Sequence, residues 1–195
     1  MAIDVDTVVR TSVAIADAEG LDALTMRRLA AELAVTPMAI YHHVPGKEAL
    51  LDLIADESMK QLPVVDPTGA WDEELERFFV AFHRLYLEHP ALAQVMAQRP
   101  LEGPTAMARG ELLLALLVGA GVSDEDAVAA LVSLVGYTIG MSLYRLSRDA
   151  TGRFEGLTEQ AAPTAYRLRS RIAATAEHED AFADGLRRLI DSYCR

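Results

Sequence analysis

The chain has 195 residues, 51% of them hydrophobic, a single cysteine and a formal charge of −11. Its length accommodates one small and one medium domain with a core each, and the lone Cys194 excludes an internal disulfide. No apolar run reaches bilayer-spanning length, Leu112 to Val122 being the longest candidate, and Met1 to Asp6 lacks the regions of a signal peptide, so a cytoplasmic protein with no membrane partner is expected.

The first predicted helix runs from about Val5 to Ala18, with Val5, Val8, Val9, Val13 and Ala16 inward and Gly20 as a left-handed C-cap. Thr25 caps a second helix, in which Met26, Leu29, Ala30 and Leu33 share an apolar face and Arg27, Arg28 and Glu32 lie outside. Ala34 and Val35 close it. Thr36 and Pro37 open a third helix as N-cap and first helical residue, Val35 and Ile40 occupy the two hydrophobic staple positions, and Pro45-Gly46 stops the helix after little more than two turns. So short a helix buries little besides Ile40 and Val44, which leaves Thr36, Met38, Tyr41, His42 and His43 outward. Two short helices joined by a tight turn, the second presenting hydroxyls and aromatics, suit a major groove roughly 12 Å wide.

A fourth helix from Lys47 to about Gln61 packs Leu50, Leu51, Ile54 and Ser58 back on the first. Leu62 to Ala70, with two prolines and a glycine, marks a boundary between domains at 1–62 and 63–195. Further helices are predicted over Trp71–Glu88, Ala91–Ala97, Thr105–Ala120, Asp124–Arg148, Thr164–Thr175 and Glu179–Tyr193, with a loop from Thr151 to Pro163. Ser123 and Asp126 have the spacing of a capping box. The fold class is all-α: an N-terminal three-helix helix-turn-helix domain followed by a larger helical domain.

In the Asp124–Arg148 helix, Ala129, Ser133, Gly136 and Gly140 form a stripe of small residues, suited to intrachain packing or to a subunit interface. The last helix gathers Phe182, Leu186, Leu189, Ile190 and Tyr193 on one side, which asks for a partner. A second face of the long helix carries Tyr137, Met141 and Tyr144, with Arg148 a turn further on. Together with Phe78, Phe82, His83, Tyr86, Met96, Met107 and Leu114 these residues could line an apolar ligand cavity. For any one of them, plain core is the simpler reading.

The net charge argues against nucleic acid, and the first 62 residues carry five basic side chains against ten acidic ones. Distribution matters more than the total, because only charges that touch phosphates release counterions. From Thr25 to Lys47 there are three cations, one anion and two histidines, while Asp4, Asp6, Asp17, Glu19, Asp52, Asp56 and Glu57 lie on the first and fourth helices and can face away from DNA.

The stretch from about Val8 to Glu57 resembles the DNA-binding domain of the tetracycline-repressor (TetR) family of bacterial transcriptional regulators. The likeness is carried by Ala-Asp-Ala-Glu-Gly20, Leu24-Thr25-Met26-Arg27-Arg28-Leu29-Ala30, Ala39-Ile40-Tyr41-His42-His43-Val44 and Lys47-Glu48-Ala49-Leu50-Leu51. The resemblance implies a homodimer that binds a palindromic operator in double-stranded DNA and holds a small-molecule inducer in its C-terminal helices. It places Tyr41 and Lys47 on phosphates. By position and chemistry Thr25 offers a hydroxyl or N–H to a phosphate, Arg27 reads guanine, Thr36, Pro37 and Met38 meet base edges, and His42 and His43 reach bases or phosphates. Packing of Tyr41 against the Lys47 helix is its structural alternative.

Relatives that respond to tetracycline bind the drug with magnesium, but no matching histidine carries over here. His42, His43, His83, His89 and His178 form no metal-ligand pair at helical spacing, and Cys194 lacks a base partner. No metal, cofactor or enzymatic activity is expected. The alternative function is a helical small-molecule-binding module without operator binding.

Overall fold

The computed structural model describes residues 4–99, 102–146, 156–177 and 179–193. Ten α-helices occur among them: α1 Val5–Glu19, α2 Met26–Glu32, α3 Pro37–Tyr41, α4 Lys47–Ser58, α5 Trp71–Glu88, α6 Pro90–Gln98, α7 Pro104–Gly119, α8 Asp124–Leu146, α9 Pro163–Glu177 and α10 Glu179–Ser192. Arg148, His178, Cys194 and the Thr151 to Glu155 part of the expected loop lie outside the described residues.

Asp4 starts α1 by accepting the Thr7 N–H at 2.6 Å. Val8, Val9, Val13 and Ala16 are buried as expected, together with Ser12 and Ile15, whereas Val5 is exposed because it sits in the first turn, beyond the neighbouring helices. Gly20 has φ 89 and ψ 157, so it turns the chain out of the helix in an extended positive-φ conformation instead of the left-handed helical one.

The helix-turn-helix closes more tightly than its sequence suggests. Thr25 caps α2 by accepting the Arg28 N–H at 3.1 Å, and α2 ends at Glu32, short of Ala34 and Val35. The Val35 N–H reaches back to Ala30 O at 2.9 Å and the Ala34 N–H to Ala31 O at 3.2 Å, a Schellman closure. Ala34 takes the left-handed position at φ 54. Thr36 then caps α3 with Pro37 at its start, and Ile40 is fully buried. The helix stops at Tyr41, shorter than expected, since the His43 and Val44 N–H groups both turn in to Ile40 O at 2.9 Å.

Leu50, Leu51, Ile54 and Ser58 of α4 are buried, with α4 packed on α1, α6 and α7. The 62–70 connector is fastened down. Leu62 and Val65 are core residues, Asp66 Oδ1 accepts from the N–H and hydroxyl of Thr68, and Arg77 donates to Val64 O at 2.7 Å.

Helix α8 runs through the middle of the C-terminal helices, against α5, α6, α7 and α10. Ser123 accepts the Asp126 N–H and donates its hydroxyl to the Asp126 carboxylate, so the reciprocal capping bond comes from the hydroxyl. By length and hydropathy α8 could cross a bilayer, which corrects the expectation that no segment could; its glycines, serines and threonine break up the run of large apolar side chains and mask its length. The apolar side of α10 has its partner within the chain, with Phe182, Leu186 and Ile190 buried on α5 and α8. The small-residue stripe of α8 does not: Ala129, Gly136 and Gly140 are exposed, and a Cβ built on either glycine meets nothing within 4 Å.

Candidate nucleic-acid interface and buried ring cluster

The start of α2, the end of the turn and the outer side of α3 carry exposed side chains. Thr25, Arg27, Thr36, Pro37, Met38, Tyr41, His42 and His43 are all exposed, Met38 by 63% and Tyr41 by 44%. Thr25 uses an oxygen lone pair on its own helix cap, which leaves its hydroxyl proton free to donate. Lys47 is half-buried and donates to Leu21 O at 3.1 Å.

Adjacent arginines divide the work. Arg28 is held by Glu19 at 2.6 Å and Glu32 at 2.7 Å, which raises its pKa and lowers that of Glu19, chiefly through the shared hydrogen bonds. Arg27 has no acidic partner among the described residues, so its guanidinium is free for a ligand. The acids of α1 and α4 are committed elsewhere. Asp4 caps α1, Asp6 pairs with Arg10, Glu19 with Arg28 and Glu57 with Lys60.

The remaining acids join the N-terminal helices to the C-terminal ones. Asp17 accepts the Ala91 N–H at 2.9 Å and meets His89 Nδ1 at 2.8 Å, capping the start of α6. Asp52 bonds Arg99 at 2.6 Å, with Glu48 on the same guanidinium. Asp56 Oδ1 accepts the Thr105 and Ala106 N–H groups at 2.8 and 3.0 Å, capping α7. Gly103 lets it approach, because a Cβ there would stand 2.2 Å from that oxygen. A cleft of about 320 Å³ lies at this junction, lined by Asp52, Asp56, Arg99 and Glu102 among others. None of the residues expected at a ligand site lines it.

Those residues lie deeper, apart from two. Phe78, Phe82, His83, Tyr86 and Met96 are buried, Tyr137 and Met141 half-buried. Met107 is 64% exposed, which corrects its expected place in a cavity: it projects from the outer side of α7, while Leu113, Leu116 and Leu117 take the inner side. Tyr144 is 44% exposed at the end of α8. Phe78 and Phe82 pack with Phe79, and Phe82 with Tyr86. His83 stacks on Phe182 with centroids 4.0 Å apart, and Tyr137 lies on Phe182 at 5.3 Å. The His83 Nδ1 is 2.7 Å from Ser142 Oγ. Burial lowers the imidazole pKa to about 4, helped by the charges of Arg145 and Arg84. Phe182 and Ser142 carry no sequence signal that would place them in this cluster, since they stand about a hundred residues and about sixty residues from His83, on α10 and α8. No group of three or more His, Cys, Asp or Glu suited to a metal occurs among the described residues.

An all-α chain that exposes a helix-turn-helix at one end and buries an aromatic cluster at the other has the architecture of a helix-turn-helix regulator. Comparison with known proteins gives the family. Residues 9–54 match the bacterial regulatory proteins of the tetR family and residues 62–192 the tetracyclin repressor-like C-terminal domain. The transcriptional repressor DrrR1 of Streptomyces coeruleorubidus is 40% identical over 80% of this chain, a match that spans 59% of that repressor. The class A tetracycline repressor of transposon 1721 from Escherichia coli is 30% identical, with 97% of this chain and 90% of the repressor covered. ActR of Streptomyces coelicolor, solved in complex with (S)-DNPA, superposes with a TM-score of 0.86 at 31% identity over 99% and 98% of the two chains. The chain belongs to the TetR family of transcriptional regulators.

Proposed function

We propose that the protein is a homodimeric repressor that a small molecule releases from a palindromic operator. Residues 1–62 form the DNA-binding domain and residues 63–195 the ligand-binding and dimerisation domain. The observation that carries this reading is the uncommitted outer face of α2 and α3, where the free Arg27 guanidinium stands in a domain whose acids are nearly all engaged. Arg27 forks onto guanine O6 and N7. Tyr41, Lys47, Thr25 and the two histidines, His42 and His43, hold the backbone, while Thr36, Pro37 and Met38 meet base edges, the latter two through thymine methyls.

Release runs through α4. Dimers read two half-sites about one DNA turn apart, roughly 34 Å, so a small swing of each reading head abolishes binding. The bonds from Asp17 to α6, Asp56 to α7 and Asp52 to Arg99 tie the heads to the helices around the ring cluster. Phe78, Phe82, His83, Tyr86, Met96, Tyr137, Met141 and Tyr144 are the ligand set.

The test is binding of purified protein to the DNA upstream of its own and neighbouring genes, followed by fluorescence anisotropy with and without a metabolite panel. Tyr41→Ala and Arg27→Ala should lose the preference over random duplex while the dimer stays intact. Absence of any preference in the wild type at low salt overturns the repressor reading. Specific binding that no compound alters overturns the inducer alone.

A further inference from the structure

The hydrogen bonds around His83 fix which of its ring nitrogens carries the proton. Ser142 donates its only hydroxyl proton to Thr138 O at 2.8 Å, so across the 2.7 Å contact with Nδ1 it accepts, and Nδ1 is the protonated nitrogen. The imidazole is neutral because burial and the positive Arg145 and Arg84 oppose a second proton. Nε2 therefore presents a bare lone pair. That atom is buried without a hydrogen-bond partner, and so is the hydroxyl of Tyr86, one turn further along α5. Two buried polar atoms left unsatisfied on one helix are uncommon, and a partner that supplies the missing bonds gains by doing so.

The surroundings limit what that partner can be. His83, Phe182 and Tyr137 form a stack of near-parallel rings with interplanar angles of 10° and 20°. Along α8, Tyr137 and Met141 are half-buried and Tyr144 is exposed, a strip at helical spacing that leads from the stack to solvent. Nε2 accepts only, so the partner donates. An ammonium donor is opposed by the field of Arg145 and Arg84, and an ionised carboxylate has no proton to give.

We propose that His83 Nε2 is the recognition point for the inducer, and that the inducer is a flat, uncharged aromatic compound whose hydroxyl donates to that nitrogen. The Tyr86 hydroxyl takes a second polar group of the same molecule. This inference rests on the ligand-responsive reading above and names the chemistry of its ligand.

The probes are 2-naphthol, 2-methoxynaphthalene and 2-naphthylmethylamine, titrated into the full chain with ligand-observed NMR, alongside the variant His83→Phe, which keeps a ring on Phe182 and removes Nε2. Wild type should bind the naphthol about tenfold more tightly than its methyl ether, the size of one good hydrogen bond, and the amine more weakly still. In His83→Phe the difference should vanish. Naphthol should also shift the histidine Nε2 resonance in 15N spectra, which loss of packing alone would not do. Equal binding of naphthol and ether overturns the proposal, as does persistence of the difference in His83→Phe, or binding of none of the three while the operator is still bound; all three leave the repressor reading intact. A naphthol preference in a protein that ignores operator DNA supports the proposal and overturns the repressor reading.

Discussion

Ala34 shows how one residue sets the angle between two reading helices. Its left-handed backbone at φ 54 is imposed by the Schellman closure of α2, and a Cβ is unfavourable there. Ala34→Gly should raise stability by about 0.5–1 kcal/mol, a rise in melting temperature of roughly 1–4 °C by circular dichroism. The caps Thr25 and Thr36 were legible because a hydroxyl before an apolar periodicity announces a helix start. The turn was not, since alanine carries no sign of positive φ. His83 gives a second prediction at this scale. Its pKa falls from 6.5 to about 4 on folding, so between those values the unfolded chain binds a proton that the folded one does not. Its contribution is whole above pH 6.5, shrinks as the pH falls towards 4 and is constant below, with a total loss of up to about 3 kcal/mol. Urea unfolding at pH 7.5 and 4.5 should show that loss in wild type and not in His83→Phe, both carrying the same carboxylates.

Among the elements, α4 does more than its apolar stripe reveals. Leu50, Leu51 and Ile54 could be read as one face from their spacing. Asp52 and Asp56 could be read only as solvated acids. Their partners Arg99, Thr105 and Ala106 stand some fifty residues away in the chain, and a cap that one helix lends to another leaves no local pattern. The same holds for Asp17, whose partners His89 and Ala91 are more than seventy residues on. Asp56→Ala removes the acceptor of two α7 amides and should cost about 1–2 kcal/mol. Amide exchange should quicken first at Thr105 and Ala106, ahead of the rest of α7. Gly103→Ala should reproduce that pattern by pushing the carboxylate away. Slowed exchange at those amides, or no change, would show that the cap does not hold the two sets of helices together.

For the molecule as a whole, charge and surface apolarity sort to different places. The acids that give the chain its charge of −11 are, in the N-terminal helices, largely taken up by caps and ion pairs. One uncovered apolar strip lies on α8, where Val128 and Val132 are 54% and 66% exposed beside Ala129, Gly136 and Gly140. The small stripe was legible in the sequence, but its choice between neighbour and partner was not, because α10 looked equally in need of cover. The fold separates them: α10 is covered by α5 and α8, while in the α8 stripe Ala129, Gly136 and Gly140 stay exposed and only Ser133 is half-buried, against the Tyr193 hydroxyl. In the proposed dimer, small residues there let a second copy of α8 approach closely, and two copies packed in this way set the spacing of the two reading heads. Val132→Glu puts a charge at the centre of that contact and leaves the chain's own core untouched, since Val132 faces outward. It should sediment as a monomer at concentrations where the wild type is a dimer, with an unchanged circular dichroism spectrum. Operator affinity should fall by at least about a hundredfold, because each head then binds its half-site without the effective concentration that linkage provides. A Val132→Glu protein that remains dimeric would move the interface away from α8, and a monomeric one with full operator affinity would separate DNA reading from dimerisation.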